Sequence, residues 1–231
     1  MIPHTLHLAL CLCLLGLSSA FTAHSAERDS LPRILILGAS NSMRLTPKVR
    51  EYLKGEALVF RAEKDGESEN CQGTTYGIAN IDRWLADHGG SFDLISFNFG
   101  MHDLKRVDPS TRENSLNPDD PRQAEPPVYE KQLREIVAKL KATGAKLSFA
   151  TTMPCPENAS GPYRTPEDVV RYNAIAIRIM EENDIPINDL YAFVKPRMEE
   201  LLRPANVHLH DEGQKVVGCH IAESMRKLLK Q

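Results

Sequence analysis

Residues 33–38, Arg-Ile-Leu-Ile-Leu-Gly, form a short unbroken apolar run closed by glycine. That pattern belongs to a strand buried on both faces, because a half-exposed strand would alternate apolar and polar positions. Runs of the same kind recur at 58–61, 92–99, 146–151 and 185–188. Between them the spacing changes to the helical period. Residues 74–87 place Ile78, Ile81 and Leu85 on one face, and 129–142 align Leu133, Ile136, Val137 and Leu140 before stopping at Gly144. The stretch 166–182 opens with Thr165 as a cap, Pro166 in the first turn, and Glu167 and Asp168 against the positive helix end. Its apolar face follows as Val169, Ala176, Ile177 and Met180. A last helix over about 212–229 lines up Val217, Ile221, Met225 and Leu228.

Strands that alternate with helices imply a parallel sheet covered on both faces. Five of them in a chain of 231 residues predict an α/β fold, a three-layer α/β/α flavodoxin-like sandwich with a five-stranded parallel sheet. Ligands of such sheets bind beyond the carboxyl ends of the strands, so those ends are where chemistry is expected. One stretch, 105–127, fits no element; it is rich in Pro, Asp and Arg and follows a strand end directly. A substrate-facing loop is the expectation there, with a disordered surface insertion as the alternative.

The amino-terminal segment 1–26 breaks the pattern: it is almost wholly apolar from Leu6 to Leu17, ends in small residues at Ser18-Ser-Ala20 and Ser25-Ala26, and carries no Lys, Arg, Asp or Glu. It reads as a signal peptide, with 27–231 as one domain and a secreted or periplasmic destination. An amino-terminal helix packed on the domain is the competing reading. The apolar stretch is too short to span a bilayer, and no later segment reaches the roughly 20 apolar residues that spanning requires. Net charge is −3, with Lys and Arg dispersed along the chain, which argues against a nucleic-acid partner. Loss of the leader would leave Cys71, Cys155 and Cys219, enough for at most one intramolecular disulfide and spaced like no metal site. Nothing in the sequence speaks to oligomeric state.

Candidate chemistry begins where the first strand ends, at Gly38-Ala-Ser40-Asn-Ser42. A serine there can face the crevice as a nucleophile, although a Gly/Ser turn at this place also serves to bind phosphate or to cap a helix. Gly73 precedes a helix, either as a turn residue or as a close backbone approach to a ligand. His102, beside Asp103, is open to three roles: oxyanion donor, base or core histidine. His208 and His210 stand just before the last helix, and either could act as a base.

In chain order these segments resemble the blocks of SGNH (GDSL-like) hydrolases. Ser40 falls on the nucleophile of Gly-Asp-Ser-x-Ser, with Ala39 in place of the aspartate. Gly73 falls on the glycine that lends its N–H to the oxyanion. Gly100-Met-His102-Asp103 matches Gly-x-Asn-Asp, with His102 where the asparagine donor stands. His208 falls on the base of Asp-x-x-His, with Ala205 in place of the orienting acid. The 172–193 stretch is similar to the later part of bacterial members. The resemblance implies a serine esterase that needs no metal or organic cofactor, with Ser40 and His208 catalytic and Gly73 and His102 in the oxyanion hole. With Ala205 in the acid position, either a backbone carbonyl or Asp189 would have to orient His208. The implied substrate is a small-molecule or polysaccharide ester, O-acetyl groups on carbohydrate before lipids; a lysophospholipase or thioesterase would use the same site. Two rivals stay open: a catalytically impaired carbohydrate-binding relative, and a flavin- or phosphate-binding flavodoxin-like protein.

Overall fold

A computed structural model of the chain describes residues 31–230. Five strands, β1 (Arg33–Leu37), β2 (Leu58–Arg61), β5 (Leu94–Phe97), β6 (Lys146–Ala150) and β7 (Ile187–Asn188), pair in parallel in the order β2-β1-β5-β6-β7. A two-stranded ribbon, β3 (Glu63–Lys64) and β4 (Glu67–Ser68), stands apart. Main-sheet strands therefore run 2-1-3-4-5 when counted alone, the flavodoxin-like order that the alternating pattern predicts. Segment 1–26, read as a signal peptide, lies outside the described residues. Among the described residues no helix is long and apolar enough to cross a membrane.

Because side chains alternate across a strand, each strand feeds two separate apolar layers. Leu35, Leu37, Ile95, Phe97 and Phe149 face one side, where α2 (Thr74–Ala86), α3 (Pro126–Lys141) and α4 (Pro166–Glu181) bring Ile81, Trp84, Leu133, Ile136, Tyr172 and Ile179 against them. Ile34, Ile36 and Leu94 face the other side, covered by α1 (Ser40–Tyr52) and α7 (Asp211–Leu229) through Leu45, Val49, Val217 and Met225. The α1–α7 contact is close. A Cβ added to Gly218 of α7 would stand 2.6 Å from the Cβ of Lys48 on α1, so only glycine lets these two helices meet at this depth.

Helix α1 is absent from the periodicity because only Leu45, Thr46 and Val49 are buried on it and Pro47 interrupts the helical signal. Thr46 is 1% exposed yet satisfied, its Oγ1 donating to the Ser42 carbonyl at 2.7 Å. Two short helices, α5 (Leu190–Val194) and α6 (Met198–Leu201), also escape a period that needs several turns to show.

The irregular 105–127 stretch has a fixed course and is not a disordered insertion. Bridges 106↔122 and 107↔114 fold it on itself. Its two arginines are drawn to one carboxylate on α4: Asp168 accepts from Arg106 Nη1 at 3.2 Å and from Arg122 Nη2 at 2.7 Å. Asp168 is 4% exposed and Arg106 7%, so removing it strands the Arg106 guanidinium in a poorly hydrated place, while Arg122 keeps Glu125. Asp168→Ala is expected to cost about 3 kcal/mol or more of unfolding free energy in urea titration, the penalty of breaking a buried ion pair from one side.

Candidate active site

Strand β1 ends at Leu37, and the chain turns through Gly38 and Ala39 into α1, whose first residue is Ser40. The turn admits no side chain at Gly38: a Cβ there would lie 2.3 Å from Ser42 Oγ. As a first-turn residue Ser40 leaves its N–H without an intrahelical acceptor, and no side chain caps that end of α1. The hydroxyl thus sits beside free amide donors at the positive end of a helix.

The partner comes from the far end of the chain. Leu202 and Leu209 form a bridge, and the Arg203 N–H donates to the His208 carbonyl at 2.9 Å, making a narrow loop before α7. Asn41 Nδ2 donates to the Val207 carbonyl at 2.9 Å and fastens this loop to α1. The result is a 2.8 Å contact between Ser40 Oγ and His208 Nε2.

Asn206 settles the tautomer. Its Oδ1 accepts the His208 backbone N–H at 3.0 Å and lies 2.8 Å from His208 Nδ1. An atom that accepts from a backbone N–H is an acceptor, so Nδ1 must carry the proton and donate to it. Nε2 is then left with the lone pair that faces the Ser40 hydroxyl. The turn reaches this arrangement through Ala205 at φ +49°, a left-handed value that non-glycine residues adopt rarely. Burial first, then the charges of Arg44, Arg164 and Arg203, hold the His208 imidazole below its ordinary value of 6.5.

Asp189 does not reach His208. Its Oδ1 accepts from Thr151 Oγ1 at 2.9 Å and from the Ala192 N–H at 3.1 Å, where it caps α5. The orienting contact comes instead from Asn206, which the family alignment does not single out. The local signal is an Asx turn, in which an Asn side-chain oxygen accepts from the backbone N–H two residues on. His210 is likewise excluded as a base by its contacts. Its Nδ1 accepts the Gly213 N–H at 3.1 Å, capping α7, and Nε2 faces the Glu200 carbonyl.

Gly73 is the cap residue of α2. Its loop is tied to the Ser40 turn by the Cys71 N–H donating to the Gly38 carbonyl at 3.3 Å. Fully buried Arg61 joins the same two loops through Nη2, which donates to the carbonyls of Gly38 at 2.5 Å and Glu69 at 2.7 Å. Asp103 Oδ1 accepts from Thr74 N at 2.7 Å and Oγ1 at 2.6 Å, and leaves no room for a Cβ on Gly73. Burial raises the Asp103 carboxyl to about 6.

Next to it, His102 is pushed down to about 3 by burial, helped by Lys105, Arg164 and the nearby His208. It is neutral at pH 7, and its Nδ1 is buried without a partner. A neutral imidazole can donate one hydrogen bond, as an amide does, but holds no charge to offset an oxyanion. For His102→Asn the expected outcome is retained ester hydrolysis, within about tenfold of the parent, since an amide replaces the donor. Loss comparable to removal of Ser40 would instead make His102 a base.

Between the Ser40 turn and the ends of β5, β6 and β7 lies a small cavity of about 40 Å³ lined by Ser40, Leu45, Met101, Met153 and Leu190. Asn173 holds its wall, pairing with both the N–H and the carbonyl of Thr152 at 2.8 Å. A wider groove of about 1310 Å³ opens next to the His208 loop, bordered by Pro156, Asn158, Pro196, Arg203 and Pro204.

Residues 40–216 match the family model described as GDSL-like Lipase/Acylhydrolase family. A direct search of curated protein sequences finds no match. Among solved structures, a lipase/acylhydrolase from Enterococcus faecalis superposes with a TM-score of 0.68 at 16% identity, over 85% of this chain and 96% of its own. An acetyl xylan esterase gives 0.64 at 15% identity, over 83% and 98%. An acetylxylan esterase from Geobacillus stearothermophilus gives 0.62 at 16% identity, over 84% and 94%. At such identities the likeness is one of fold.

Proposed function

The chain belongs to the GDSL-like lipase/acylhydrolase family, and on that premise we propose that it is a serine esterase that removes acetyl groups from carbohydrates outside the cytoplasm. The observation that carries the reading is the relay Asn206–His208–Ser40, with contacts of 2.8 Å on each side of the ring, ending at a 40 Å³ cavity. That volume admits a two-carbon acyl group and excludes the chain of a lipid. The groove beside the His208 loop has room for several sugar units. Acetylxylan esterases among the fold neighbours support the same substrate class, and segment 1–26, read as a leader, supports export.

In this mechanism His208 Nε2 takes the Ser40 proton as Oγ attacks the ester carbonyl. The N–H groups of Ser40 and Gly73, with a ring N–H of His102, receive the oxyanion. His208 then gives its proton to the departing sugar hydroxyl, leaving an acetyl-enzyme. Water enters, loses a proton to His208 and releases acetate, which restores the free serine.

Stoichiometric labelling by a fluorophosphonate, mapped to Ser40, together with acetate release from an acetylated xylooligosaccharide, is the expected result. A nitrophenyl ester series should lose kcat/KM steeply as the acyl chain grows beyond acetyl. Flat dependence on chain length would overturn the acetyl assignment, and absence of labelling would overturn the serine mechanism.

A further inference from the structure

The His208 loop and the Gly73 loop each contain one non-glycine residue in the left-handed region: Ala205 at φ +49° and Gln72 at φ +50°. Each stands beside an asparagine that accepts a backbone N–H two residues on. Asn206 Oδ1 takes that of His208 at 3.0 Å, and Asn70 Oδ1 takes that of Gln72 at 2.9 Å. A left-handed backbone is disfavoured for any residue with a Cβ, and it persists where the surroundings over-determine it.

The chain around Gly73 is held at several points. Arg61 Nη2 donates to the Glu69 carbonyl at 2.7 Å, and the Cys71 N–H donates to the Gly38 carbonyl at 3.3 Å. The Thr74 N–H donates to Asp103 Oδ1 at 2.7 Å, and the same oxygen stands 2.7 Å from where a Gly73 Cβ would be. The N–H groups of Cys71, Gln72 and Thr74 therefore all have acceptors. That of Gly73, between them, has none among the described residues.

Rotation about the N–Cα bond of residue 72 sets the direction of the next peptide, which carries the Gly73 N–H. If Gln72 relaxed to an ordinary negative φ, that N–H would swing away from its present direction. We infer that Asn70 and Gln72 are positioning residues: Asn70 holds Gln72 left-handed, and the left-handed turn keeps the Gly73 N–H unpaired and aimed at the oxyanion. The inference rests on the esterase reading above, in which that N–H is an oxyanion donor, and adds what fixes its direction. A donor set in advance stabilises the transition state without reorganising as charge develops, and a turn held in a disfavoured conformation is one way to set it.

Four variants test this on an acetyl ester, with kcat counted per active site titrated by fluorophosphonate so that unfolded chains do not enter. Asn70→Ala removes the acceptor and should lower kcat about tenfold or more with KM nearly unchanged, part of the roughly 10²–10³ lost when an oxyanion donor is deleted outright. Asn70→Asp keeps an acceptor at the same reach and should recover most of that loss. At position 72 glycine adopts positive φ freely and a β-branched residue resists it, so Gln72→Gly should exceed Gln72→Val in kcat by about tenfold. If Gln72→Val does not fold, the two Asn70 variants decide alone.

Parent-like kcat in Asn70→Ala, an Asn70→Asp enzyme as slow as Asn70→Ala, or a loss confined to KM would each overturn the inference and leave the esterase reading intact. Equal kcat in folded Gln72→Gly and Gln72→Val would do the same. A parent protein that turns over no ester and takes no fluorophosphonate label at Ser40 would sink the esterase reading, and the inference with it.

Discussion

Ser40→Ala is expected to lower kcat on an acetyl ester by about 10⁶, to the level set by binding and oxyanion contacts alone, as when the serine of a triad is removed. The side chain caps nothing, and its one polar contact is His208 Nε2 at 2.8 Å. Loss of the hydroxyl therefore leaves the turn, the helix and the free N–H groups in place. Circular dichroism and the urea midpoint should be unchanged, which separates a chemical loss from a folding one. Retention of more than a hundredth of the parent rate would show that the acyl group never passes through Ser40.

The second large effect is at Asn206. Asn206→Ala removes the acceptor of both His208 N–H groups, so the ring can take the tautomer with the proton on Nε2, which blocks acceptance from Ser40. The comparable loss of tautomer control in a serine triad costs about 10⁴ in kcat, and a decrease of about 10³ or more is expected here. Asn206→Asp should act in the opposite sense. A carboxylate keeps the acceptor and adds a charge that stabilises the imidazolium formed as the proton leaves Ser40.

The same substitution has a signature in pH. The base works as the neutral ring, and in the parent burial and three arginines hold its pKa below 6.5, so kcat/KM falls only once the pH drops below that lowered value. An aspartate at 206 raises the pKa, so the acid limb moves to higher pH. Identical limbs in parent and Asn206→Asp would mean that residue 206 does not bear on the catalytic ring.

What could be read from the sequence divides along physical lines. Sheet strands announced themselves because burial on both faces makes each a solid apolar run; 33–38 and 58–61 are seen within a residue of where β1 and β2 lie. Helices of three turns or more with a one-sided stripe were equally plain. Helix α1 was not, although it carries Ser40, because its stripe is only three residues wide and Pro47 sits inside it. Of the candidate site residues, Ser40 and His208 come together by geometry that no spacing encodes, 168 positions apart. The orienting residue was misplaced for a related reason. With Ala205 in the acid position the sequence offers a backbone carbonyl or Asp189, whereas a neutral amide next door needs only a two-residue turn.

The contact at Gly218 has a consequence for how the enzyme fails on heating. Ser40 opens α1 and His208 stands three residues before α7, so the alignment of hydroxyl and ring depends on two helices held at one glycine-lined crossing, on the face of the sheet opposite α2, α3 and α4. A small separation there ends turnover while the five-stranded sheet is still whole, because local opening requires less free energy than melting the core. Thermal inactivation will therefore run ahead of global unfolding, and the half-life of activity, not the melting midpoint, marks the working temperature of this protein.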